Sequence, residues 1–439
     1  MKSALLALVL VVASIHAQQS QQTTADAQAQ KRVEERDRQA QLAKMAGSDP
    51  LNLAKIPPPQ FLTPCQVMKR DDTIDTRNIP LAEWLAAGEA TQIPWKVQIA
   101  KPALNMEQRR QISYEARVDS TDLGWKAGPH ELQFVSGISS PDGKWLVDPK
   151  AGRQIFGSMP SGPLRVFFRD CLHVRPGDYV LWMALHDPQS AKHNVVRRRV
   201  HVSDTEDDPL PNLNSTLPVA RFPEPNPAPS LFPPLPVMNK QPLNVDLLAV
   251  VSPADQWPTR TDILTWTNSQ VLGAMSVLSQ MKLAHGSLSA FSLDLPGQAI
   301  KFEQRDFVYL DRQGLSQSFY KPKDVFTQKI EVLETFKSRS AFFRKVVSDR
   351  VNAPGDSQRV VILVSGSLLF ERGSDLAPLR LERDCRCRVY HIHLRLNKDD
   401  VFDHAERLIK PLGPQTFDVT SATDFRKALA KIVRDLESF

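Results

Sequence analysis

The chain contains 439 residues, of which 41% are hydrophobic and 24% are charged. This composition is ordinary for globular proteins and excludes a wholly disordered chain or a fibrous repeat. The length predicts two or three domains, each large enough to bury its own core. The net charge of +6 arises from basic and acidic residues that are mixed along the whole chain, so no concentrated basic patch indicates a nucleic-acid partner.

The N-terminus has the layout of a secretory signal peptide. Lys2 precedes an apolar run over residues 4–13, and the small residue Ala17 stands before a polar stretch. We therefore expect residues 1–17 to be a cleaved signal peptide and the mature protein to be secreted or periplasmic. No later segment reaches the ~18 apolar residues of a membrane span. Residues 18–59 are polar and are predicted to form a disordered or helical tail.

Export determines how the four cysteines are interpreted, because thiols pair in oxidising compartments. Cys65 and Cys171 lie in the first half of the chain, whereas Cys385 and Cys387 lie in the second. The sequence does not choose among the possible pairings. A Cys65–Cys171 disulfide is the simplest hypothesis, since both residues fall within one predicted domain, and Cys385–Cys387 would close only a small, strained ring.

Residues 60–203 alternate between apolar and polar positions in short runs that are separated by turns. This pattern is typical of an antiparallel β-sandwich. The predicted strands are Trp95–Ile99, Ile112–Val118, Glu131–Val135, Leu164–Phe168, Tyr179–Leu185 and Val195–Val202. The stretch from Arg175 to Leu181, with a turn near Asp187 and a strand ending at Val202, resembles the last hairpin of immunoglobulin-like and fibronectin-like modules. A short helix is predicted over residues 81–87.

Residues 204–242 form a proline-rich segment between two chemically different halves. Eleven prolines occur between Pro209 and Pro242, out of 34 in the whole chain. Proline restricts the backbone and removes a hydrogen-bond donor, so we expect an extended, semi-rigid linker that sets the distance between two domains.

Residues 243–439 follow a different pattern, in which strands alternate with helices. The apolar run Val245–Val251 is typical of a strand covered on both faces. Further strands are predicted at Ser287–Leu293, Ala299–Phe302, Arg359–Val364, Arg388–Leu396 and Gln415–Val419, and helices near 264–281, 330–336, 341–347, 401–409 and after Ser421. The alternation predicts an α/β fold with a doubly wound, mostly parallel sheet.

The C-terminal half resembles a von Willebrand factor A-like domain, in the divergent form found in secreted, acidobacterial-type proteins. The resemblance rests on the strand order, the apolar run from Val245, the strand Val360–Gly366 and the final helix carrying Phe425, Leu429, Ile432 and Leu436. It implies a domain that acts by binding other proteins through the loops at the carboxyl ends of its strands.

Metal-binding members of that family present Asp-x-Ser-x-Ser after the first strand, and this sequence departs from that motif. Ser252 and Asp255 occupy the region, and Ser365 stands where an acidic residue before Gly366 is expected. A hard cation needs several oxygen ligands with charge among them. We therefore expect no metal and no cofactor. The recognising rim is predicted to hold Ser252, Asp255, Ser365 and Ser367, because loops on a rigid frame carry function.

An alternative interpretation uses Cys387, His391 and His393, which alternation places on one side of a strand. Such residues can bind zinc or copper in an extracytoplasmic metalloprotein or enzyme. A third interpretation assigns carbohydrate binding to the sandwich through Trp125 or Trp145. No Gly-x-Ser-x-Gly or His-Glu-x-x-His motif is present, so hydrolase motifs give no support to an enzyme. The leading expectation is an exported, non-enzymatic protein-interaction or adhesion-type protein with an unknown protein partner.

Overall fold

The computed structural model describes residues 73–125, 129–157, 165–204, 207–211, 213–224, 226–252, 261–321, 338–353, 357–370, 374–379, 387–396 and 403–439. All of them belong to the unit that spans Leu62–Phe439. Within these ranges, no helix combines the length and the apolar character needed to cross a bilayer.

The described residues form strands in both halves and helices mainly in the second half. The strands are β1 (Thr73–Ile74), β2 (Ala90–Thr91), β3 (Lys96–Ile99), β4 (Ala103–Leu104), β5 (Arg110–Asp119), β6 (His130–Ser139), β7 (Trp145–Phe156), β8 (Arg165–Val174), β9 (Gly177–Asp187), β10 (Lys192–Val202), β11 (Ala220–Arg221), β12 (Leu235–Val237), β13 (Leu243–Val250), β14 (Met281–Leu283), β15 (Gly286–Asp294), β16 (Ala299–Gln304), β17 (Gln358–Gly366), β18 (Cys387–Leu394) and β19 (Gln415–Val419). The α-helices are α1 (Leu81–Ala87), α2 (Thr261–Leu278), α3 (Arg312–Gln317), α4 (Arg339–Val351), α5 (His404–Ile409) and α6 (Ala422–Glu437).

Two antiparallel sheets form the first half and fit the predicted β-sandwich. One sheet has the order β1-β7-β6-β9-β10-β2, and the other has the order β11-β8-β5-β3, with β4 paired to β5. Alternate residues of both sheets meet in one apolar core that includes Ile112, Leu132, Leu172 and Leu181. The alternation seen in the sequence therefore corresponds to the inward faces of the two sheets.

Strand β7 was not among the predicted strands, because its sequence lacks clean alternation. It contains Pro149 and Gly152, which are unusual inside a strand. The pairing of β6 with β7 shifts register near Ser136 and Ile138. A bulge of this kind accommodates residues that a regular ladder excludes.

Helix α1 confirms the short helix predicted at residues 81–87. Its Trp84 is buried against Val135, Ala184 and Val195 on the outer face of the larger sheet. The Trp84 ring also stacks on His193 at 4.5 Å between ring centroids. The helix thus covers apolar side chains on a face of the sheet, rather than at its edge.

The second half contains a six-stranded sheet with the order β16-β15-β13-β17-β18-β19. Strands β15, β13, β17, β18 and β19 run parallel, whereas β16 pairs antiparallel with β15 at one edge. One face packs against α2 and α6, and the Phe425, Leu429, Ile432 and Leu436 stripe of α6 is buried there as predicted. The other face packs against α4 and α5. Ser421 caps α6 by accepting a hydrogen bond from the Asp424 N–H at 3.2 Å.

The described part of the proline-rich segment combines short strands with turns and a 3-10 helix at Pro229–Leu231, and it does not behave as a spacer between separate domains. Its residues form β11, which joins the sandwich next to β8, and β12, which runs parallel to β14. Leu213, Leu217 and Phe232 are buried. The prolines restrict the backbone, and the apolar residues between them bury against both halves, because such burial offsets the entropy of ordering the segment.

The turn between β4 and β5 of the sandwich enters the second half. Met106 belongs to the core beneath α2 and α6. A Cβ atom at Gly273 of α2 would lie 2.8 Å from the Cβ of Met106, so only glycine permits this close approach. The Gln108 side chain donates a hydrogen bond to the Ala422 carbonyl at 3.2 Å. The two halves are therefore in direct contact, with Met106 of the sandwich buried in the core of the second half.

Glu107 lies at the same junction, between cations from two other parts of the chain. Its carboxylate accepts a hydrogen bond from Arg312 at 3.0 Å and lies 3.5 Å from Arg221. His173 lies 3.8 Å away. The side chains of Arg221, Arg312 and Glu107 are only 8%, 17% and 16% exposed, so the junction is poorly hydrated, and this burial lowers the pKa of both arginines.

Asp246 is a buried carboxylate on the central strand β13. Burial raises its pKa from 3.8 to about 6, although Arg350 and Arg359 act in the opposite direction. Because the folded pKa lies above the unfolded one, the stability contributed by the protonated form is present below pH 3.8 and is lost as the pH rises through about 6.

We expect Asp246→Asn to stabilise the protein at pH 8, because the ionised carboxylate is disfavoured there. The free energy of unfolding in urea should rise by about 2 kcal/mol at pH 8 and by only a few tenths at pH 4. Asp178→Asn, at an exposed position, should leave stability within about 0.5 kcal/mol of wild type. No gain at pH 8 would contradict the prediction.

Candidate functional site

Polar side chains collect on one face of the parallel sheet near its carboxyl edge. Ser365 and Ser367 lie at the end of β17, His391 and His393 lie on β18, and Asp418 lies on β19. The register aligns Ser365 with His393 and His393 with Asp418. In open α/β sheets this edge is where ligands usually bind.

The outer group consists of Ser367, His393 and Asp418, connected by two hydrogen bonds. The Ser367 Oγ lies 3.0 Å from His393 Nε2, and His393 Nδ1 lies 3.0 Å from Asp418 Oδ1. A carboxylate only accepts, so Nδ1 carries the proton and Nε2 is left to accept the serine hydroxyl proton. Arg395 Nη1 donates to Asp418 Oδ2 at 2.9 Å and fixes the carboxylate.

The inner group consists of Ser365, His391 and Asp403, and it is less complete. The Ser365 Oγ lies 3.0 Å from His391 Nε2, but His391 Nδ1 lies 3.7 Å from Asp403 Oδ2. Neither of these last two atoms has a hydrogen-bond partner among the described residues. The rings of His391 and His393 stack with centroids 5.5 Å apart, so the two groups lie side by side.

Exposure separates the two groups. Ser365 and His391 have no exposed surface, whereas Ser367 is half-buried and the Asp418 side chain is 53% exposed. Burial, and then the neighbouring His393, lower the pKa of His391 to about 3. Burial raises the pKa of Asp403. Ser365 and His391 are therefore closed to solvent, whereas solvent reaches Ser367 and Asp418 of the outer group. His393, between them, is 4% exposed.

Asp403 also begins helix α5. Its Oδ1 accepts hydrogen bonds from the Ala405 and Leu368 N–H groups, both at 3.0 Å. The observed cap is Asp403, which also holds the loop after β17 in place.

The predicted rim residues have different environments. Ser252 is buried, and its Oγ accepts a hydrogen bond from the Leu295 N–H at 2.8 Å. Ser365 is buried against His391, so neither serine hydroxyl is exposed to solvent. Ser367 remains at the surface, and Asp255 lies outside the described residues. Of the four predicted residues, Ser367 is thus the described one that is accessible.

The predicted soft-metal residues do share one side of β18, but Cys387 is disulfide-bonded and has no thiolate to offer a metal. His391 and His393 instead contact serine hydroxyls. Across the described ranges, no group of three or more His, Cys, Asp or Glu side chains has the spacing to hold a metal ion.

Cys171 is also disulfide-bonded. Cys65 and Cys385 lie outside the described residues, so the Cys65–Cys171 pairing stays a prediction.

The two tryptophans considered for carbohydrate binding are partly buried. Trp125 stacks on His130 with ring centroids 4.5 Å apart, and its Nε1 donates to Asp187 at 3.4 Å. Trp145 packs against Trp182 and covers Gly137. Both rings have protein neighbours on a face or edge that a sugar would contact.

Asp403, Asp418 and Arg395 were not among the functional residues predicted from the sequence. The sequence did indicate which face of β19 carries Asp418, because alternation along the strand places it on the same face as Thr416. Its contact with His393 depends on the register of two strands, which no local pattern reveals.

Comparisons with known proteins provide no family for this chain. No family model matches it, and no curated protein is significantly similar. Among solved structures, a glycosyl hydrolase family 2 member from Bacteroides cellulosilyticus aligns with 67% of this chain and 38% of its own length, at 5% identity and a TM-score of 0.18. A Northeast Structural Genomics Consortium target aligns with 26% of this chain and 84% of its own length, at 11% identity and a TM-score of 0.13. The chain thus spans about two fifths of the first of these structures, and likenesses this weak indicate neither fold nor function.

Proposed function

We propose that the protein is exported and binds a protein partner through the carboxyl edge of its C-terminal sheet, in the manner of a von Willebrand factor A-like domain whose metal motif is lost. The observation that carries the proposal is the strand order β16-β15-β13-β17-β18-β19 with a single antiparallel strand at one edge. This is the order that the resemblance implies, and the argument is one of analogy at the level of the fold.

The surface at this edge is consistent with recognition of a protein. Leu369, which follows Ser367, is 39% exposed, and Asp418 is exposed nearby on β19. An exposed apolar side chain with polar neighbours is a common element of protein interfaces. Loops at this edge also sit on a rigid sheet, which favours a preorganised binding surface.

The test is chemical crosslinking of the mature protein in an extract of the envelope or medium of the producing cells, followed by mass spectrometry. We expect Leu369→Arg to lose the captured protein, because it replaces the exposed apolar side chain at this edge by a charged one. Ile155→Arg changes a residue that is 60% exposed on the sandwich and should retain it.

Chelation provides the second arm of this experiment. Binding without a divalent ion predicts that capture is unchanged in EDTA, whereas the metal-dependent mode of the same family predicts that capture is lost. Equal capture by Leu369→Arg and wild type, or loss of capture in EDTA, would contradict the proposal.

A further inference from the structure

The outer group at the carboxyl edge has the connectivity of a nucleophile, a base and an orienting carboxylate. Ser367 Oγ, His393 Nε2, His393 Nδ1 and Asp418 Oδ1 are joined in that order by contacts of 3.0 Å each. In serine hydrolases this sequence of contacts activates the hydroxyl, and it is recognised by geometry rather than by position in the chain. The absence of a Gly-x-Ser-x-Gly motif therefore does not exclude it.

We infer that Ser367 is an activated nucleophile that accepts the acyl group of a carboxylic ester, with His393 as its general base and Asp418 as the positioning residue. This goes beyond the proposed recognition function and departs from the non-enzymatic expectation. The inference rests on the hydrogen bonds, the tautomer they require and the accessibility of the outer group.

The adjacent inner group contains a second serine–histidine pair, and comparison with it supports Ser367 as the reactive serine. Ser365 and His391 repeat the serine–histidine contact at the same distance of 3.0 Å. They are fully buried, and the third contact is open at 3.7 Å. Ser367 is the more exposed serine of the two, although His393 beside it is only 4% exposed, so we expect reaction at Ser367 and not at Ser365.

The chemistry balances without a cofactor. The Ser367 Oγ attacks the ester carbonyl carbon while its proton passes to His393 Nε2. The carbon–oxygen bond to the alcohol breaks, and the alcohol leaves with the proton from His393. Water then attacks the acyl-serine with His393 again as base, which releases the acid and restores Ser367.

The Asp418 carboxylate has two roles that the structure supports. It accepts from Nδ1, which leaves the lone pair on Nε2, and it faces the ring that becomes cationic when the serine proton is transferred. Arg395 holds the second carboxylate oxygen at 2.9 Å, so the ring orientation is fixed before substrate arrives.

The test uses the mature protein and a fluorophosphonate, which transfers a phosphonyl group to an activated serine hydroxyl with loss of fluoride. We expect one phosphonyl group per chain by intact mass, and peptide mapping should place it on Ser367. Absence of the adduct under conditions that label a control serine hydrolase, or an adduct on Ser365, would overturn the inference. This measurement does not depend on whether any variant folds.

Variants then assign the roles. Ser367→Ala should abolish labelling, and His393→Ala should slow it at least ~100-fold, which is the usual contribution of a general base. Asp418→Asn should slow labelling at least tenfold, and Asp418→Glu should recover part of the rate, which a merely structural residue would not do. Hydrolysis of p-nitrophenyl acetate should follow the same order.

Matched controls come from the same protein. Ser287→Ala changes a serine at the opposite end of the sheet, where its hydroxyl bonds to Asn244. His201→Ala changes an exposed histidine that contacts Asp178 but no serine. Both should label at the wild-type rate. Equal labelling of wild type and His393→Ala would show that the serine is not activated by this histidine, and recognition tested through Leu369 would be unaffected by that result.

Discussion

Glu107→Ala should lower the free energy of unfolding by about 3–5 kcal/mol, because it leaves two buried arginines without their shared carboxylate. Arg312 and Arg221 reach Glu107 from the α/β half and the proline-rich segment. Arg312 keeps a hydrogen bond to Ser276, but both guanidinium groups are largely withdrawn from water, so removal of the carboxylate leaves two buried charges poorly compensated. Urea denaturation at pH 7 measures the loss.

The matched control is Glu115→Ala on the same sandwich. Glu115 pairs with Arg169 at the surface, where ion pairs contribute about 0–1 kcal/mol. We expect that variant to unfold within about 1 kcal/mol of wild type. Similar losses in both variants would show that the junction is not the poorly hydrated cluster that its geometry indicates.

Acidification should destabilise the protein through His391, and the expected loss is about 4 kcal/mol between pH 6.5 and pH 3.5. Burial lowers the pKa of this histidine to about 3, below its ordinary value of 6.5. The unfolded chain then binds a proton that the folded chain does not, so stability falls as the pH decreases below 6.5, by roughly 1.4 kcal/mol per pH unit.

The variant His391→Gln isolates this contribution, because glutamine keeps a hydrogen bond toward Ser365 and does not titrate. Stability in urea at pH 7 minus that at pH 5 should be smaller in the variant by about 2 kcal/mol. His201→Gln changes an exposed histidine and should leave the difference as in wild type. An unchanged difference in His391→Gln would contradict a neutral, buried His391.

The predicted strands of the sandwich show which parts of the fold a local sequence pattern can predict. Five of the six predicted runs overlap longer observed strands, and the run from Trp95 overlaps the shorter β3, because alternation reports which side chains face the core. The same rule missed β7, since Pro149 and Gly152 interrupt its pattern, and tertiary pairing with β6 across a bulge overrides local propensity.

The proline-rich segment shows that composition does not predict which side chains are buried. Its composition predicted an extended backbone, and the structure shows short strands together with turns and a 3-10 helix at Pro229–Leu231, because proline restricts φ without excluding turns. Composition alone did not reveal that Leu213, Leu217 and Phe232 would be buried. Whether an extended segment is solvated or packed depends on the surfaces it meets, which the sequence of the segment does not contain.

By itself, the sequence determined most of the longer strands and helices, where α6 begins, and which of its side chains face the sheet. These properties depend on neighbours within a few residues along the chain. Only the tertiary structure decided that Ser367, His393 and Asp418 meet, and that Glu107 joins two arginines. Those contacts bring together residues separated by 25 or more positions, and they depend on strand register and on packing between the two halves, which no local pattern encodes.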